Sequence, residues 1–380
     1  MIPLAIPNLC GNEGPYLQEC VTTGFVSTVG PFVTRFEELV ARSADTTGAV
    51  ATSAGTTGLH LALLCAGVQP GDLVITPSFS FIATANAIAH SGASPWLFDI
   101  CAKNWCLDAS LLVETLRRET QVTANGVQHK ASGRRVGALM PVYANGLIPD
   151  GFQAIAAEFN LPLVADAAPA IGARHHGKGA GAFADLTVFS FNGNKTVTSG
   201  GGGAIVSNNI ALLAHAKHLS STARVGTDYH HDEVGFNYRM TNLEAAVGCA
   251  QMENLTTFVA AKRKIRDHYQ SALAHLLGVE FFPDAPDREN ACWFSGLILP
   301  ANGCIPFEPL AAKLNAAGVQ CRPFWKPIHL QPVYRECPRT AMPVCESLWQ
   351  RIVVLPSSTQ LSETEQSQVI AAVLAALQVQ

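Results

Sequence analysis

Lys195 is an isolated charge in a stretch that otherwise carries none. It is the only charged residue from Leu186 to Ala214, and apolar segments flank it on both sides. Burial between such segments disfavours the ammonium form, which lowers the pKa of the amine and makes it a better nucleophile. Schiff-base chemistry needs a lysine of this kind. The same residues are equally compatible with an exposed lysine on the turn Asn192–Gly193–Asn194.

Asp166 is a second isolated charge. It follows the apolar run 161–165 and is the only charged residue between Glu158 and Arg174. A carboxylate at the C-terminal end of a buried strand lies where α/β folds bind ligands. There it could keep a pyridinium nitrogen protonated, which makes a pyridine ring an electron sink. The alternative is a carboxylate that caps the next helix.

Small and hydroxyl residues between another predicted strand and helix form a candidate phosphate site, in the order Ser53-Ala54-Gly55-Thr56-Thr57-Gly58. Small residues let the backbone approach a phosphate, and a helix N-terminus offers free N–H groups. Ser190 could add a hydroxyl. Phe79 and Phe81 could supply an aromatic face for a flat cofactor, although a phenylalanine in such a segment more often belongs to the core.

The elements that must position these residues alternate between short apolar runs and helical patterns. We predict helices through Leu59–Leu64 and Ile82–His90, and strands at Ala49–Thr52, Leu73–Thr76, Pro95–Phe98, Val136–Val142, Leu161–Ala165 and Thr187–Phe191. Apolar runs without alternation are typical of strands covered on both faces. Their alternation with helices predicts an α/β fold with a mainly parallel sheet. The polar stretch 120–135 predicts a surface excursion.

The pattern changes in the last third of the chain. Thr241 and Glu244 form a T-x-x-E capping box ahead of a predicted long helix to about Leu277, and Ser362 with Glu365 caps a final helix. Prolines cluster between these two helices. We predict a large domain at residues 1–255 and a smaller domain at residues 256–380.

The composition limits the possible functions. The formal net charge is −4, and no basic run beyond Lys262, Arg263 and Lys264 suggests a nucleic-acid partner; these three are typical of a solvated helix face. The 11 cysteines show no usual zinc spacing, so we expect reduced thiols and no metal. The N-terminus lacks the basic start of a signal peptide, and 369–377 is too short to span a bilayer. We expect a cytoplasmic protein without a membrane partner.

Taken together, the chain resembles the DegT/DnrJ/EryC1/StrS family of sugar-nucleotide aminotransferases along nearly its whole length. The segments that carry the resemblance are PNLCGNE, GFVSTVGPFVTRFE, GTTGLHLAL, GDLVITPSFSFIATANAI, FSFNGNKTVTSGGGGAI, HDEVGFNYRMTNLEAAVGCAQME, CRPFWKPIH and LPSS. FSFNGNK and HDEVGFNYRMTN are most similar to the subgroup that acts on 4-keto-6-deoxy nucleotide sugars, which includes enzymes of perosamine, bacillosamine and legionaminic acid synthesis.

The resemblance implies a PLP-dependent transferase of fold type I, the architecture of aspartate aminotransferase. In that architecture a large domain with a mainly parallel sheet is joined to a smaller C-terminal α+β domain. A homodimer with active sites at the subunit interface is implied as well. The implied reaction is ping-pong, from L-glutamate to the keto carbon, C4, of a nucleotide-linked 4-keto-6-deoxy sugar.

The resemblance also assigns roles to residues. Lys195 would form the Schiff base with pyridoxal 5'-phosphate (PLP) and shuttle protons, and Asp166 would pair with the pyridine nitrogen. The remaining cofactor contacts would be Gly55, Thr56, Thr57, Phe81 and Ser190, with Asn237 reaching the cofactor bound by the other subunit. Substrate contacts are implied for Ser27, Tyr143, Pro169, Arg322 and His329.

Two positions depart from the family pattern. Members usually read D-x-A-[EQ]-[AS], whereas this chain reads Asp166-Ala167-Ala168-Pro169-Ala170, and proline cannot make the hydrogen bond of the Glu or Gln side chain. Tyr143 stands where related sequences often carry a histidine. We therefore expect an aminotransferase with an altered sugar site.

Three alternatives remain open. A sugar dehydratase of the same fold would carry a histidine in place of Lys195. A cofactor-binding homologue with altered catalysis is favoured by Pro169. A keto-cyclitol aminotransferase would share most cofactor residues, so only substrate assays would distinguish it.

Overall fold

The computed structural model describes residues 1–301 and 306–377, and within them a central sheet of seven strands forms the scaffold. Its strands are β1 (Gly48–Thr52), β2 (Leu73–Pro77), β3 (Ser94–Phe98), β6 (Val136–Leu139), β7 (Val164–Asp166), β10 (Leu186–Ser190) and β11 (Gly203–Ser207). The spatial order is β3-β2-β6-β7-β10-β11-β1, with β6 and β7 joined by single parallel bridges. Only β11 pairs antiparallel with its neighbours in this sheet. The prediction of a mainly parallel α/β sheet is confirmed.

Helices cover both faces of this sheet, as the unalternating strands require. They are α1 (Glu13–Thr23), α2 (Pro31–Ala44), α3 (Gly55–Cys65), α4 (Ile82–His90), α5 (Ala109–Glu119), α6 (Phe152–Glu158), α7 (Ile210–Ser220) and α8 (Asn242–Glu253). On β10, Phe189 packs into a core with α2 and α8, whereas its neighbour Val188 packs into a second core with α3 and α7. Every residue of β10 is therefore buried.

A second, antiparallel sheet lies in the last third of the chain. Its order is β14 (Glu280–Phe281), β16 (Ser295–Ile298), β18 (Ile352–Leu355) and β17 (Arg322–Pro323). The helices here are α9 (Leu255–Leu273), α10 (Phe307–Ala316), α11 (Pro343–Leu348) and α12 (Glu363–Leu377). Leu297, Val353 and Val369 share one core, which also takes in Ile2 from the start of the chain. The division at residue 255 stays a prediction; residues 302–305 and 378–380 of the smaller domain lie outside the described part.

Short strand pairs complete the described secondary structure. The predicted surface excursion forms a hairpin of β4 (Thr120–Thr123) and β5 (Gly126–His129). The other short strands are β8 (Arg174–His175), β9 (Lys178–Gly179), β12 (Arg224–Val225), β13 (His230–His231) and β15 (Arg288–Glu289). Because β15 pairs with β8, the segment ahead of β16 is held against the loop that follows β7.

Both predicted capping boxes are confirmed. Thr241 Oγ1 accepts a hydrogen bond from Glu244 N at 3.2 Å, and the Glu244 carboxylate accepts one from Thr241 N at 2.9 Å. Ser362 and Glu365 make the same reciprocal pair ahead of α12. The single long helix from Thr241 is wrong, because Asn254, with φ −102° and ψ 3°, separates α8 from α9.

The prediction of a solvated cationic face at 262–264 is wrong for Lys262, which is 2% exposed. On α9 the buried side chains include Val259, Lys262, Ile265 and Tyr269, the spacing of one helical face. Lys264 lies on the opposite side and is exposed.

Two strands of the central sheet, β6 and β7, are shorter than predicted. β6 ends at Leu139, two residues before Pro141, and β7 begins at Val164, two residues after Pro162. Proline has no N–H to donate to a sheet, which explains both limits. Within residues 1–301 and 306–377, no helix combines the length and the apolar character needed to cross a bilayer.

Candidate active site

A cleft opens at the carboxyl edge of the central sheet, where parallel strands end and their loops begin. Its volume is about 280 Å³, close to the lower end of the range of about 300–1,000 Å³ usual for ligand pockets. Its walls come from the loops after β1, β7 and β10, from the start of α4, and from two tryptophans of the last third of the chain. The polar and charged side chains that line it are Ser53, Thr56, Ser80, Asp166, Ser190, Asn192, Asn194 and Lys195.

Lys195 lies on the turn that leaves β10 and projects its amine into this cleft. Its backbone N–H donates to Asn192 O at 2.9 Å, and its Nζ lies 3.7 Å from the ring centroid of Trp293. Burial lowers the pKa of the amine to about 8, while the charge of Asp166 acts in the opposite direction. The side chain is half-buried and the residue lies on the turn Asn192–Gly193–Asn194, so the structure combines features of both interpretations.

Asp166 ends β7 with its carboxylate buried at the floor of the cleft. Oδ2 accepts a hydrogen bond from Thr84 Oγ1 at 2.6 Å, and Oδ1 accepts one from Ala168 N at 3.1 Å. Burial raises the pKa of this carboxyl, and the hydrogen bonds from Thr84 and Ala168 and the charge of Lys195 oppose that rise. No helix begins between residues 167 and 173, so the helix-capping alternative is wrong.

The start of α3 forms the other end of the cleft. The first hydrogen bond of the helix runs from Gly58 N to Ala54 O, so the N–H groups of the first turn have no acceptor within the helix. Gly55 brings this turn against β10, because a Cβ there would stand 2.9 Å from Ser190 Cβ. A small anion at this position would meet the positive end of the helix dipole and the Ser190 hydroxyl.

The two predicted threonines of this turn do different things. Thr56 lines the cleft. Thr57 Oγ1 instead donates to Ala54 O at 2.8 Å and accepts from Ala54 N at 3.1 Å, so its hydroxyl caps the helix. Its part in cofactor binding stays a prediction.

Aromatic side chains form the remaining walls. Phe81 is 58% exposed at the start of α4 and faces the cleft, whereas Phe79 is fully buried in an aromatic core with Trp105 and Phe324. Trp293 and Trp325 line the cleft from the opposite side. The two phenylalanines of TPSFSF thus divide into one core residue and one residue that a flat ligand can reach.

Sequence reasoning missed Thr84, Trp293 and Trp325. Thr84 follows Ser80 by one helical turn, and their hydroxyl oxygens lie 2.6 Å apart. That spacing is visible in the sequence, but nothing local connects it to Asp166. The tryptophans occur in the apolar segments ACWF and PFW, which are equally typical of core.

The predicted substrate residues are only partly brought together. Pro169 lines the cleft. Tyr143 is buried and lines a separate cavity beside Asp150 and His175, and burial raises the pKa of its hydroxyl. His329 is buried away from the cleft between Ser78, at 2.7 Å, and Glu346, at 3.0 Å.

Three further predicted residues are exposed outside the cleft: Ser27, Asn237 and Arg322. Ser27 belongs to a loop fixed to the start of α8, since Asn242 N donates to Ser27 O at 2.6 Å. Arg322 lies in β17, at the edge of the second sheet. The structure gives no contact between these side chains and the cleft, and their substrate or cofactor roles stay predictions.

The donor set of the cleft fits pyridoxal 5'-phosphate. The start of α3 with Ser190 suits a phosphate, and Phe81 offers a face for a flat ring. Asp166 has a carboxylate whose two protein donors leave room for a further one, such as a pyridinium N–H. Among the described residues, no hydrogen-bond acceptor lies within reach of Lys195 Nζ, so its amine is available to an aldehyde.

Comparisons with known proteins agree with this chemistry. The model of the DegT/DnrJ/EryC1/StrS aminotransferase family matches residues 9–374. A putative pyridoxal phosphate-dependent aminotransferase of Bacillus subtilis is 35% identical, covering 98% of this chain and 95% of the relative. A GDP-perosamine synthase of Caulobacter vibrioides is 35% identical over 98% and 97%. The crystal structure of a DegT DnrJ EryC1 StrS aminotransferase from Brucella abortus has a TM-score of 0.86 at 26% identity, covering 97% of this chain and 96% of that one.

Proposed function

The chain belongs to the DegT/DnrJ/EryC1/StrS aminotransferase family, whose members depend on PLP, and we propose that it transfers the amino group of L-glutamate to a nucleotide-linked keto sugar. The acceptor is C4 of a 4-keto-6-deoxy sugar, in a ping-pong reaction. The observation that carries the proposal is the placement of Lys195 and Asp166 on one cleft, opposite the phosphate site of α3. The proposal includes the fold type I architecture, with which the mainly parallel central sheet and the second, antiparallel sheet are compatible.

Each cleft residue has a defined task in this reaction. PLP, when bound, supplies an electron sink and carries the amino group between the two substrates. Thr56, Ser190 and the first turn of α3 bind its phosphate, and Phe81 orients the ring. Asp166 holds a proton on the ring nitrogen through its buried carboxylate.

Lys195 would hold the cofactor through Nζ and would move protons with the same atom. A pKa of about 8 suits both tasks, since a useful fraction of the amine is neutral near pH 7 and the proton is neither too tightly nor too loosely held. The Trp293 ring covers one side of this atom.

The proposed acceptor rests on the relatives. GDP-perosamine synthases of Caulobacter vibrioides, Vibrio cholerae and Escherichia coli are 33% to 35% identical over at least 94% of this chain. Of the two residues that depart from the family pattern, Pro169 lies on the wall of the cleft. The C4 position and the glutamate donor are the parts of the proposal that a substrate panel must decide.

We further propose that the protein acts as a homodimer with shared active sites. Asn237 and the segment 224–234 are exposed, and that segment presents two large apolar side chains, Tyr229 at 88% and Val234 at 85% exposure. Exposed apolar groups of this size favour a protein interface. A second copy would cover them and place Asn237 at the cofactor of the other subunit.

The first test is chemical. Protein incubated with PLP and reduced with borohydride is digested and analysed by mass spectrometry. We expect a phosphopyridoxyl group on Lys195 and none in K195R. An unmodified Lys195, or modification of other lysines at equal yield, would refute the assignment.

The second test concerns substrates and assembly. Purified protein with L-glutamate is offered GDP-, UDP- and dTDP-linked 4-keto-6-deoxy sugars, a 3-keto nucleotide sugar and a keto-cyclitol, and products are separated by mass. Turnover of only the keto-cyclitol would refute the nucleotide-sugar proposal. Mixed dimers of K195A and N237A should regain activity that neither variant shows alone, because one site then has both residues; no recovery would refute shared sites.

A further inference from the structure

Lys262 is a buried lysine whose amine donates to two main-chain carbonyls. Its Nζ donates to Trp293 O at 2.9 Å and to Ser357 O at 2.5 Å. Burial lowers the pKa of this amine to about 7. Burying an amine in a core is unfavourable by itself, and the two hydrogen bonds offset part of that cost.

One of those carbonyls belongs to the tryptophan that faces Lys195. The Trp293 indole Nε1 donates to the main-chain oxygen of Asn194, the residue before Lys195, at 2.7 Å. The Lys195 Nζ lies 3.7 Å from the centroid of the Trp293 ring. Trp293 N also donates to Asn145 O at 3.3 Å. The residue is therefore held at its main chain by Lys262 and Asn145, and at its side chain by the turn that bears Lys195.

This arrangement joins three separate parts of the chain at one point. Lys262 comes from α9, Trp293 from the segment before β16, and Ser357 from the segment after β18. The neighbouring residue Phe294 is fixed as well, by hydrogen bonds of its N–H and C=O to the Asn145 amide at 2.8 and 2.9 Å. The indole is thus held from both parts of the chain, by Lys262 on one side and by Asn145 and Asn194 on the other, and its ring lies against a lysine on the turn after β10.

We propose that Lys262 is a positioning residue for the transamination: by fixing the main chain of Trp293, it keeps the indole ring against the Lys195 amine. The inference rests on the proposed function, because it requires that Lys195 is the amine that reacts with PLP. An aromatic face next to an ammonium stabilises the charged form. Loss of the ring from this position therefore makes Lys195 easier to deprotonate.

A purely structural lysine would give a different result. Removing it would lower the thermal stability and leave the titration of Lys195 unchanged. The readout must therefore report on the Lys195 amine rather than on folding or activity. The rate of PLP uptake by cofactor-free protein does so, since only the neutral amine attacks the aldehyde, forming the C=N bond and releasing water.

The experiment measures the second-order rate constant of PLP uptake from pH 6 to 10 by stopped-flow absorbance. In K262M, which keeps the length of the side chain and removes its donors, we expect the midpoint of the profile to fall by about 0.5 pH unit. K262R retains donors for both carbonyls and should restore the wild-type midpoint. K264M, an exposed lysine on the same helix, is the matched control and should leave it unchanged.

A double-mutant cycle tests the route of the effect. W293L removes the ring and should itself lower the midpoint, and K262M in the W293L background should add no further shift. Where K262M does not fold, K262Q, whose shorter side chain replaces the ammonium by an uncharged amide, is used instead with the same expected sign.

Two results would overturn the inference: an unchanged midpoint in folded K262M, whatever its stability, or an equal K262M shift with and without Trp293. Wild-type protein that takes up no PLP would instead refute the proposed function, and the first measurement of the series shows which has failed.

Discussion

Replacing Thr84 by valine removes one hydroxyl at nearly constant volume and tests the support of Asp166. Thr84 Oγ1 donates to Asp166 Oδ2 at 2.6 Å, and Ala168 N donates to Oδ1 at 3.1 Å. The protein thus supplies two donors to a buried carboxylate. T84V removes the shorter of these hydrogen bonds and leaves the other in place.

The size of the effect follows from the charge of the acceptor. A hydrogen bond to a charged group contributes about 1.5–3 kcal/mol, and about 1.4 kcal/mol corresponds to one pKa unit. The pKa of Asp166, already raised by burial, should therefore rise further in T84V. A carboxylate with a higher pKa holds the proton itself and leaves the ring nitrogen less often protonated. We expect the glutamate half-reaction to slow about 10- to 100-fold.

The assay is a single turnover of PLP-loaded protein with L-glutamate, followed by visible absorbance. T84S keeps the hydroxyl and should react within about threefold of the wild type. S80A removes the hydroxyl next to Thr84 and should have a smaller effect than T84V. A T84V protein that binds PLP stoichiometrically and reacts within about twofold of the wild type would refute the role of this hydrogen bond.

Three other substitutions have defined outcomes. The pKa of Lys262 is lowered to about 7 in the folded state, so from pH 7 towards 10 the unfolded state binds more protons and stability rises with pH. The unfolding free energy of the wild type relative to that of K262M should therefore increase by about 2 kcal/mol between pH 7 and 9. A difference that stays constant with pH in denaturant titrations would contradict this. G55A places a Cβ 2.9 Å from Ser190 Cβ and should weaken PLP binding about tenfold in spectrophotometric titrations. The control G14A has open space around its Cβ and should bind PLP with wild-type affinity. Equal PLP affinity in the two variants would show that the start of α3 adjusts freely. T241A removes the cap of α8 and should lower the unfolding free energy by about 1 kcal/mol without changing PLP affinity; a loss of PLP affinity at unchanged stability would reverse that assignment.

The sequence made the sheet and its charged residues predictable for a physical reason. Strands buried on both faces must be continuously apolar, so an isolated charge such as Lys195 or Asp166 at the end of such a run is conspicuous. Capping boxes are equally local, and both were found. The order of these elements also indicated the family, and the comparisons confirm that prediction.

What escaped prediction depends on contacts between distant segments. Thr84 is an ordinary helical threonine until the fold places it beside Asp166. Lys262 has cationic neighbours, and only the packing of α9 shows that its side chain points inward. Trp293 reaches Lys195 across the boundary between the two sheets. Side-chain direction in loops is similarly hidden, as the burial of Tyr143 shows.

The antiparallel strand β11 has a consequence for the order in which the protein matures. Because β11 is inserted between β10 and β1, Thr52 lies opposite Gly203, and the phosphate end of the cleft forms only when these distant segments have paired. Such nonlocal pairing is slow compared with local structure. A chain emerging from the ribosome therefore cannot assemble the site before β11 has been synthesised, and Trp293 joins it later still. Uptake of PLP during synthesis would mark the moment at which the central sheet is complete.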